Sequence, residues 1–299
     1  MNVLYKVFSG FWNGVVKKGD DKLHASQVYP DGIKEMTNVS YTASGSIYHL
    51  LDAYFPENAE GKLPVIIDVH GGGWMYATKD LNKIYCQYLA KRGFVVFNLS
   101  YRLVPEVTVT EQLRDVSEAL LKIRELMDVL PCDKSRVMLT GDSAGGQLAG
   151  FTAAINESEK LRKHFDTADH GIKFSCVTLT SPVAFMNESS PMGFYCKMMW
   201  GEKGLGKCRT RYMNIDELLH ETGSFPPTLL VTSSGDTLAL SQTRRLAEVL
   251  MKKGVDTKLL DFPKFKGKNL PHVFGVLEPY SEAGAIYIDE MCSFFKKYM

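Results

Sequence analysis

Short apolar runs alternate with amphipathic stretches along most of this chain. Val65-Ile66-Ile67-Asp68-Val69 and Phe94 to Leu99 have the length and near-continuous apolar character of strands covered on both faces, and Arg136 to Thr140, Phe174 to Thr180, Thr228 to Thr232 and Thr257 to Phe262 read as further strands. Between them, Leu81, Ile84, Tyr85, Tyr88 and Leu89 predict a helix stopped by Gly93, and Leu113, Val116, Leu120, Ile123 and Met127 predict another that ends before Pro131. Helical spacing returns from Gln147 through Ala154, from Leu240 to Gly254 and from about Ser281 to Tyr298. Residues 37 to 55 alternate polar and apolar around Ser44-Gly45, as a hairpin does. Residues 57 to 63 are a polar surface loop. The hairpin and the six runs predict an eight-stranded, mostly parallel sheet wrapped by helices, an α/β fold in one domain over residues 1–299.

Two stretches depart from this rhythm. Val3, Leu4, Val7, Phe8, Phe11, Trp12 and Val15 recur at helical spacing against Lys6, Asn13 and Lys17, so residues 2 to 18 are expected to be an amphipathic helix within an amino-terminal cap segment, 1–36. Packing on the protein body, lying on a membrane surface and capping a pocket are all open to it. Residues 182 to 224 carry Phe185, Met186, Met192, Phe194, Tyr195, Met198, Met199 and Trp200 with no clean period, and are expected to be an insertion. Such side chains serve equally as core or as a pocket wall.

Composition narrows the partners more than the fold. With 35 Lys+Arg against 34 Asp+Glu, the net charge of +1 gives no reason to expect nucleic acid. No apolar run approaches the ~18 residues that cross a bilayer, so no transmembrane span is expected. The six cysteines are scattered without C-x-x-C or Cys/His pairs, which predicts free thiols, no zinc site and cytoplasmic residence.

The candidate chemistry sits where strands end. Gly141-Asp142-Ser143-Ala144-Gly145-Gly146 fits G-x-S-x-G between a strand and a helix, a turn that exposes a serine hydroxyl. The pentapeptide also arises by chance, so the rest of the chain must supply its partners. Upstream, the strand ending at Val69 runs into His70-Gly71-Gly72-Gly73-Trp74, where backbone without side chains can approach a substrate oxygen closely. Downstream, the strand ending at Thr232 leads to Asp236, which is placed either to cap the next helix or to orient a histidine. His272 is the one histidine of seven that follows it.

Together with Tyr101-Arg102-Leu103-x-Pro105-Glu106, these motifs resemble the hormone-sensitive-lipase-type branch of the α/β-hydrolase esterases, over roughly residues 37 to 299. The resemblance implies Ser143 as nucleophile, His272 as general base, Asp236 as its orienting acid, and the backbone N–H groups of Gly71, Gly72 and Ala144 as the oxyanion hole. Serine is almost un-ionised at neutral pH, so a base must take its proton, and an imidazole with an ordinary pKa of ~6.5 can accept and return it. His70 is expected to brace the glycine loop. Trp74, Phe185, Phe194, Tyr195, Met198 and Met199 are the expected pocket lining. The activity implied is a serine carboxylesterase acting on small-molecule esters of short to medium acyl chains through an acyl-enzyme, with no cofactor or metal. Amidase or deacetylase activity on small acylated molecules, and a non-catalytic receptor on the same fold, remain open. Related esterases are often dimers, which leaves a homodimer open as well.

Overall fold

The computed structural model describes residues 10, 14, 17–186, 192–202 and 208–299, with only the backbone described at 20, 21, 24 and 192–195. Period-two alternation along buried strands divides the apolar side chains between two cores. In β3 (Leu63–Val69), Val65, Ile67 and Val69 enter one core while Ile66 enters the other, and Asp68 shares the Ile66 face. The same division runs through β4 (Val95–Leu99), β5 (Cys132–Asp142), β6 (Cys176–Thr180) and β7 (Thr228–Ser233).

With β1 (Ile33–Ser40), β2 (Leu50–Pro56) and β8 (Thr257–Phe262), these strands form one sheet in the order β1-β2-β4-β3-β5-β6-β7-β8. β1, β2 and β4 pair antiparallel; every pairing from β4 through β8 is parallel. One face is covered by α2 (Lys83–Ala90) and α10 (Glu282–Lys297), whose Tyr85, Leu89, Tyr287, Ile288 and Met291 meet Ile66, Val96 and Met138. The other is covered by α3 (Val109–Leu126) and α4 (Ser143–Asn156). α3 starts four residues before the first apolar position read from the sequence. Its start is fixed by a reciprocal cap: Thr108 Oγ1 accepts the Glu111 N–H and Glu111 Oε2 accepts the Thr108 N–H at 2.8 Å.

Other boundaries also moved. Helix α1 (Lys17–Ala25) continues past Lys18 through a polar, mostly exposed stretch that apolar periodicity does not register, while most of the helix expected over residues 2 to 18 lies outside the described residues. The polar stretch before Gly171 contains α5 (Glu159–Phe165), capped by the Ser158 hydroxyl and seated through Leu161 and Phe165. In the stretch 182–224, α6 (Met192–Met199) and α7 (Ile215–Leu219) are helical, and Cys196, Met199, Trp200, Tyr212, Met213 and Ile215 join the core under α4. Helix α8 (Leu240–Lys252) follows β7, and the loop after β8 carries a single turn of helix, α9 (Phe274–Leu277). All six cysteines are buried. Among the described residues no helix is long and apolar enough to cross a membrane.

Candidate active site

The loops at the C-terminal ends of β3, β5, β6 and β7 converge, as strand ends of parallel sheets do. At the end of β5 the chain turns directly into α4, and Ser143 takes φ 52°, a left-handed conformation that a residue with a Cβ adopts only where its surroundings impose it. The imposition is visible at Gly145, where a Cβ would run into the carbonyl oxygens of Val69 and His70. Strand β3 and helix α4 therefore approach too closely for any side chain, and the strained serine is held out at the turn.

Ser143, His272 and Asp236 are brought together from three separate loops. The Ser143 hydroxyl donates to Nε2 of His272 at 2.9 Å, and Nδ1–H of His272 donates to Oδ1 of Asp236 at 2.9 Å. The Asp236 side chain is fully buried and that of His272 is 19% exposed. Burial pushes the Asp236 carboxyl up, but the hydrogen bond and charge of His272, with Ser181 and the Ala239 N–H, outweigh it and bring the group to about 2. An ionised acceptor there fixes the imidazole proton on Nδ1 and leaves Nε2 free to accept from serine. The capping role read as its alternative is not the one seen: Ala239 precedes α8 without a side-chain cap, and Asp236 Oδ1 instead accepts the Leu238 and Ala239 N–H groups of the turn ahead of that helix.

The glycine loop lies beside the serine. Gly72 has φ 110° and no room for a Cβ, which would strike the Tyr76 carbonyl. Gly71 corrects the sequence reading: its N–H is donated inward to Asp142 Oδ1 at 3.0 Å, so it is committed to the protein and does not face an oxyanion. Ala144 lies in the first turn of α4, whose N–H groups have no intrahelical acceptor. His70 stacks on Tyr101 with centroids 4.4 Å apart and donates from Nδ1 to the Gly71 carbonyl at 2.7 Å, the bracing role expected of it. Its burial lowers its pKa to about 4.

The expected pocket residues part company. Trp74 is 2% exposed and its indole N–H donates to Gln147 Oε1 at 2.9 Å, so it ties the glycine loop to α4. Met199 is wholly buried in the core and Met198 is half-buried beside it. Phe185 lies on the loop after β6, two residues beyond Val183, whose N–H donates to the Ser143 carbonyl; the Arg245 guanidinium sits 3.8 Å from the centre of its ring. The side chains of Phe194 and Tyr195 lie outside the described residues. Among the described residues no group of His, Cys, Asp or Glu is arranged to hold a metal ion.

Sequence reading did not single out Asn82, Gln147 or Ser181, which hold the loops from behind. Asp68 did leave a trace, a carboxyl inside an otherwise apolar strand.

A BD-FAE family profile matches residues 51–203, just over half of the chain and the whole span from β2 through the serine turn into α6. The chain belongs to the BD-FAE family. Its fold is that of the α/β-hydrolase esterases, as the motifs implied. Esterase B of Lactobacillus rhamnosis, in a tributyrin-phosphonate-inhibited form, superposes with a TM-score of 0.91 at 28% identity, covering 99% of this chain and 94% of that one. A bacterial heroin esterase shares the fold at a TM-score of 0.71 and 21% identity, covering 96% and 93% of the two chains. Among curated proteins, the isoprenylcysteine alpha-carbonyl methylesterase ICME of Arabidopsis thaliana is 23% identical over 219 residues, covering 70% of this chain and 51% of the relative. This BD-FAE chain spans about half or less of the length of the first curated relatives it matches.

Proposed function

We propose that this protein is a serine carboxylesterase that hydrolyses small-molecule esters of short to medium acyl chains through an acyl-enzyme. The observation that carries the reading is the relay of two 2.9 Å hydrogen bonds from Ser143 through His272 to a buried, ionised Asp236. In the acylation step His272 Nε2 takes the hydroxyl proton as Ser143 Oγ attacks the ester carbonyl, and Asp236 offsets the imidazolium charge. The oxyanion is received by the N–H groups of Gly72 and Ala144. His272 then returns its proton to the departing alcohol. In the second half, His272 takes a proton from water as it attacks the acyl-enzyme, and Ser143 recovers its hydrogen when the acid leaves.

Support for an ester substrate comes from Esterase B, which is inhibited by a tributyrin phosphonate, and from the methylesterase among the curated relatives. Phe185, two residues beyond Val183, whose N–H donates to the Ser143 carbonyl, is taken to border the acyl group. The buried thiols fit a reducing, cytoplasmic setting. The test is hydrolysis of nitrophenyl esters of two to twelve acyl carbons. We expect turnover that is highest among the shorter chains; equal turnover at every length contradicts the proposed acyl preference.

A further inference from the structure

Behind the glycine loop lies a buried group that takes no part in the proton relay. Asn82 Nδ2 donates to Asp68 Oδ2 at 2.9 Å and to Asp142 Oδ1 at 2.8 Å, and that same Asp142 oxygen accepts the Gly71 N–H. Asp68 and Asn82 are each 1% exposed and Asp142 is 4% exposed. Two carboxyls joined through one amide in so dry a place do not both ionise.

The hydrogen bonds say which one holds the proton. Asp142 is faced by two N–H donors, from Asn82 and Gly71, both on the same oxygen. Burial holds its carboxyl above the ordinary range, but the Asn82 and Gly71 N–H groups oppose that rise. Asp68 is faced by Asn82 and by Cys86, with the Tyr85 and Tyr287 phenols and Asp142 beyond them, and no cation stands among these groups. Burial first and the Asp142 charge second push the Asp68 carboxyl well above the ordinary carboxylate range. There is an independent geometric sign. Asp68 Oδ1 and Asn82 Oδ1 are both buried oxygens without a hydrogen-bond partner, on side chains already joined through their other atoms. A proton on Asp68 Oδ1 makes it a donor, and a carboxylic acid facing a primary amide then forms two antiparallel bonds, N–H to O and O–H to O. The remaining Asn82 N–H is the one that reaches Asp142.

We propose that Asn82 and a protonated Asp68 are positioning residues which fix the Asp142 carboxylate and, through its bond to the Gly71 N–H, the loop that presents the oxyanion donors. The proposal rests on the esterase reading. It explains why a carboxyl stands in the buried strand β3: as a neutral acid it completes the amide without adding a second charge. It also gives Asp142, the variable position of the serine motif, a task in aligning the loop across from it.

The test compares 4-nitrophenyl butyrate kinetics of the wild type, Asp68→Asn and Asn82→Ala, with infrared spectra of the wild type and Asp68→Asn at neutral pH. An asparagine at position 68 reproduces both bonds of the protonated acid, so kcat is expected to stay close to that of the wild type. Asn82→Ala frees Asp142, and kcat is expected to fall about 10- to 100-fold with KM little changed. The infrared spectrum is expected to show a protonated-carboxyl carbonyl band that disappears in Asp68→Asn. The proposal is overturned if Asp68→Asn loses as much activity as Asn82→Ala, if Asn82→Ala keeps full kcat, or if no such band exists. Should Asn82→Ala not fold, Asp68→Asn and the infrared band decide. A wild type without esterase activity sinks the esterase reading while the band still reports the proton on Asp68; an active wild type with an unaffected Asn82→Ala sinks this inference alone.

Discussion

Asp236 accepts three hydrogen bonds through one oxygen, from His272, Leu238 and Ala239, and its second oxygen accepts from Thr232. Asp236→Asn keeps the shape but replaces an acceptor with an amide, which favours the wrong imidazole tautomer. Its kcat on nitrophenyl butyrate is expected to fall by about 10⁴-fold with little change in KM; a loss under ten-fold would mean that Asp236 only braces the turn before α8. Because the folded-state carboxyl lies at about 2, below the ordinary value of ~3.9, its contribution to stability is complete above pH ~4 and is lost as pH falls through about 2. Acid inactivation at pH 5 is therefore expected to come from elsewhere. At this scale the sequence was informative about the side chains that meet and less so about backbone. Ser143, Asp236 and His272 could be named because each type has a chemical task at a strand end. Gly71 was misread because nothing in three consecutive glycines tells which N–H points outward; Asp142, seventy-one residues away, decides it.

Between elements, the glycine loop is tied to the serine turn by Trp74 to Gln147 of α4 and by Gly71 to Asp142, and to the loop after β4 by Tyr101 OH, which donates to the His70 carbonyl at 2.7 Å. Trp74→Phe removes the indole N–H and leaves Gln147 Oε1 buried without a partner. A destabilisation of about 1–3 kcal/mol is expected in denaturant unfolding, besides any packing loss; an unchanged midpoint would show that Gln147 finds another donor. Strands and long helices were legible because burial on both faces leaves apolar runs, and one-sided burial leaves a 3.6-residue period. The short α5 and α9 were not, since a helix of one or two turns repeats no pattern long enough to see. Trp74 was expected in the pocket for its aromatic character, but an indole N–H in an enclosed place needs an acceptor, and Gln147 supplies it from the next element.

For the molecule as a whole, the buried histidines make stability depend on pH. Burial lowers both His70 and His170 to about 4; His170 Nδ1 accepts the Ile172 N–H, a bond only the unprotonated nitrogen makes. Unfolded histidine titrates near ~6.5, so each contributes stability that is complete above that pH and is lost as pH falls toward about 4. His170→Asn, whose amide oxygen can take the Ile172 N–H, is expected to reduce the difference in unfolding free energy between pH 7 and pH 5 by about 2 kcal/mol. An unreduced difference would mean that His170 is charged in the fold. The overall architecture followed from the sequence, since strand and helix alternate through the parallel part of the sheet. The stretch 182–224 did not, because it follows neither period, and its described residues divide between core and surface one at a time. The central claim is that Ser143 performs ester hydrolysis, and the most direct measurement is the rate of nitrophenyl butyrate hydrolysis by the wild type and by Ser143→Ala. The account predicts measurable turnover by the wild type and a loss of about 10⁴-fold or more in the folded variant. Equal rates in the two, or no serine-dependent hydrolysis of any ester, would contradict it.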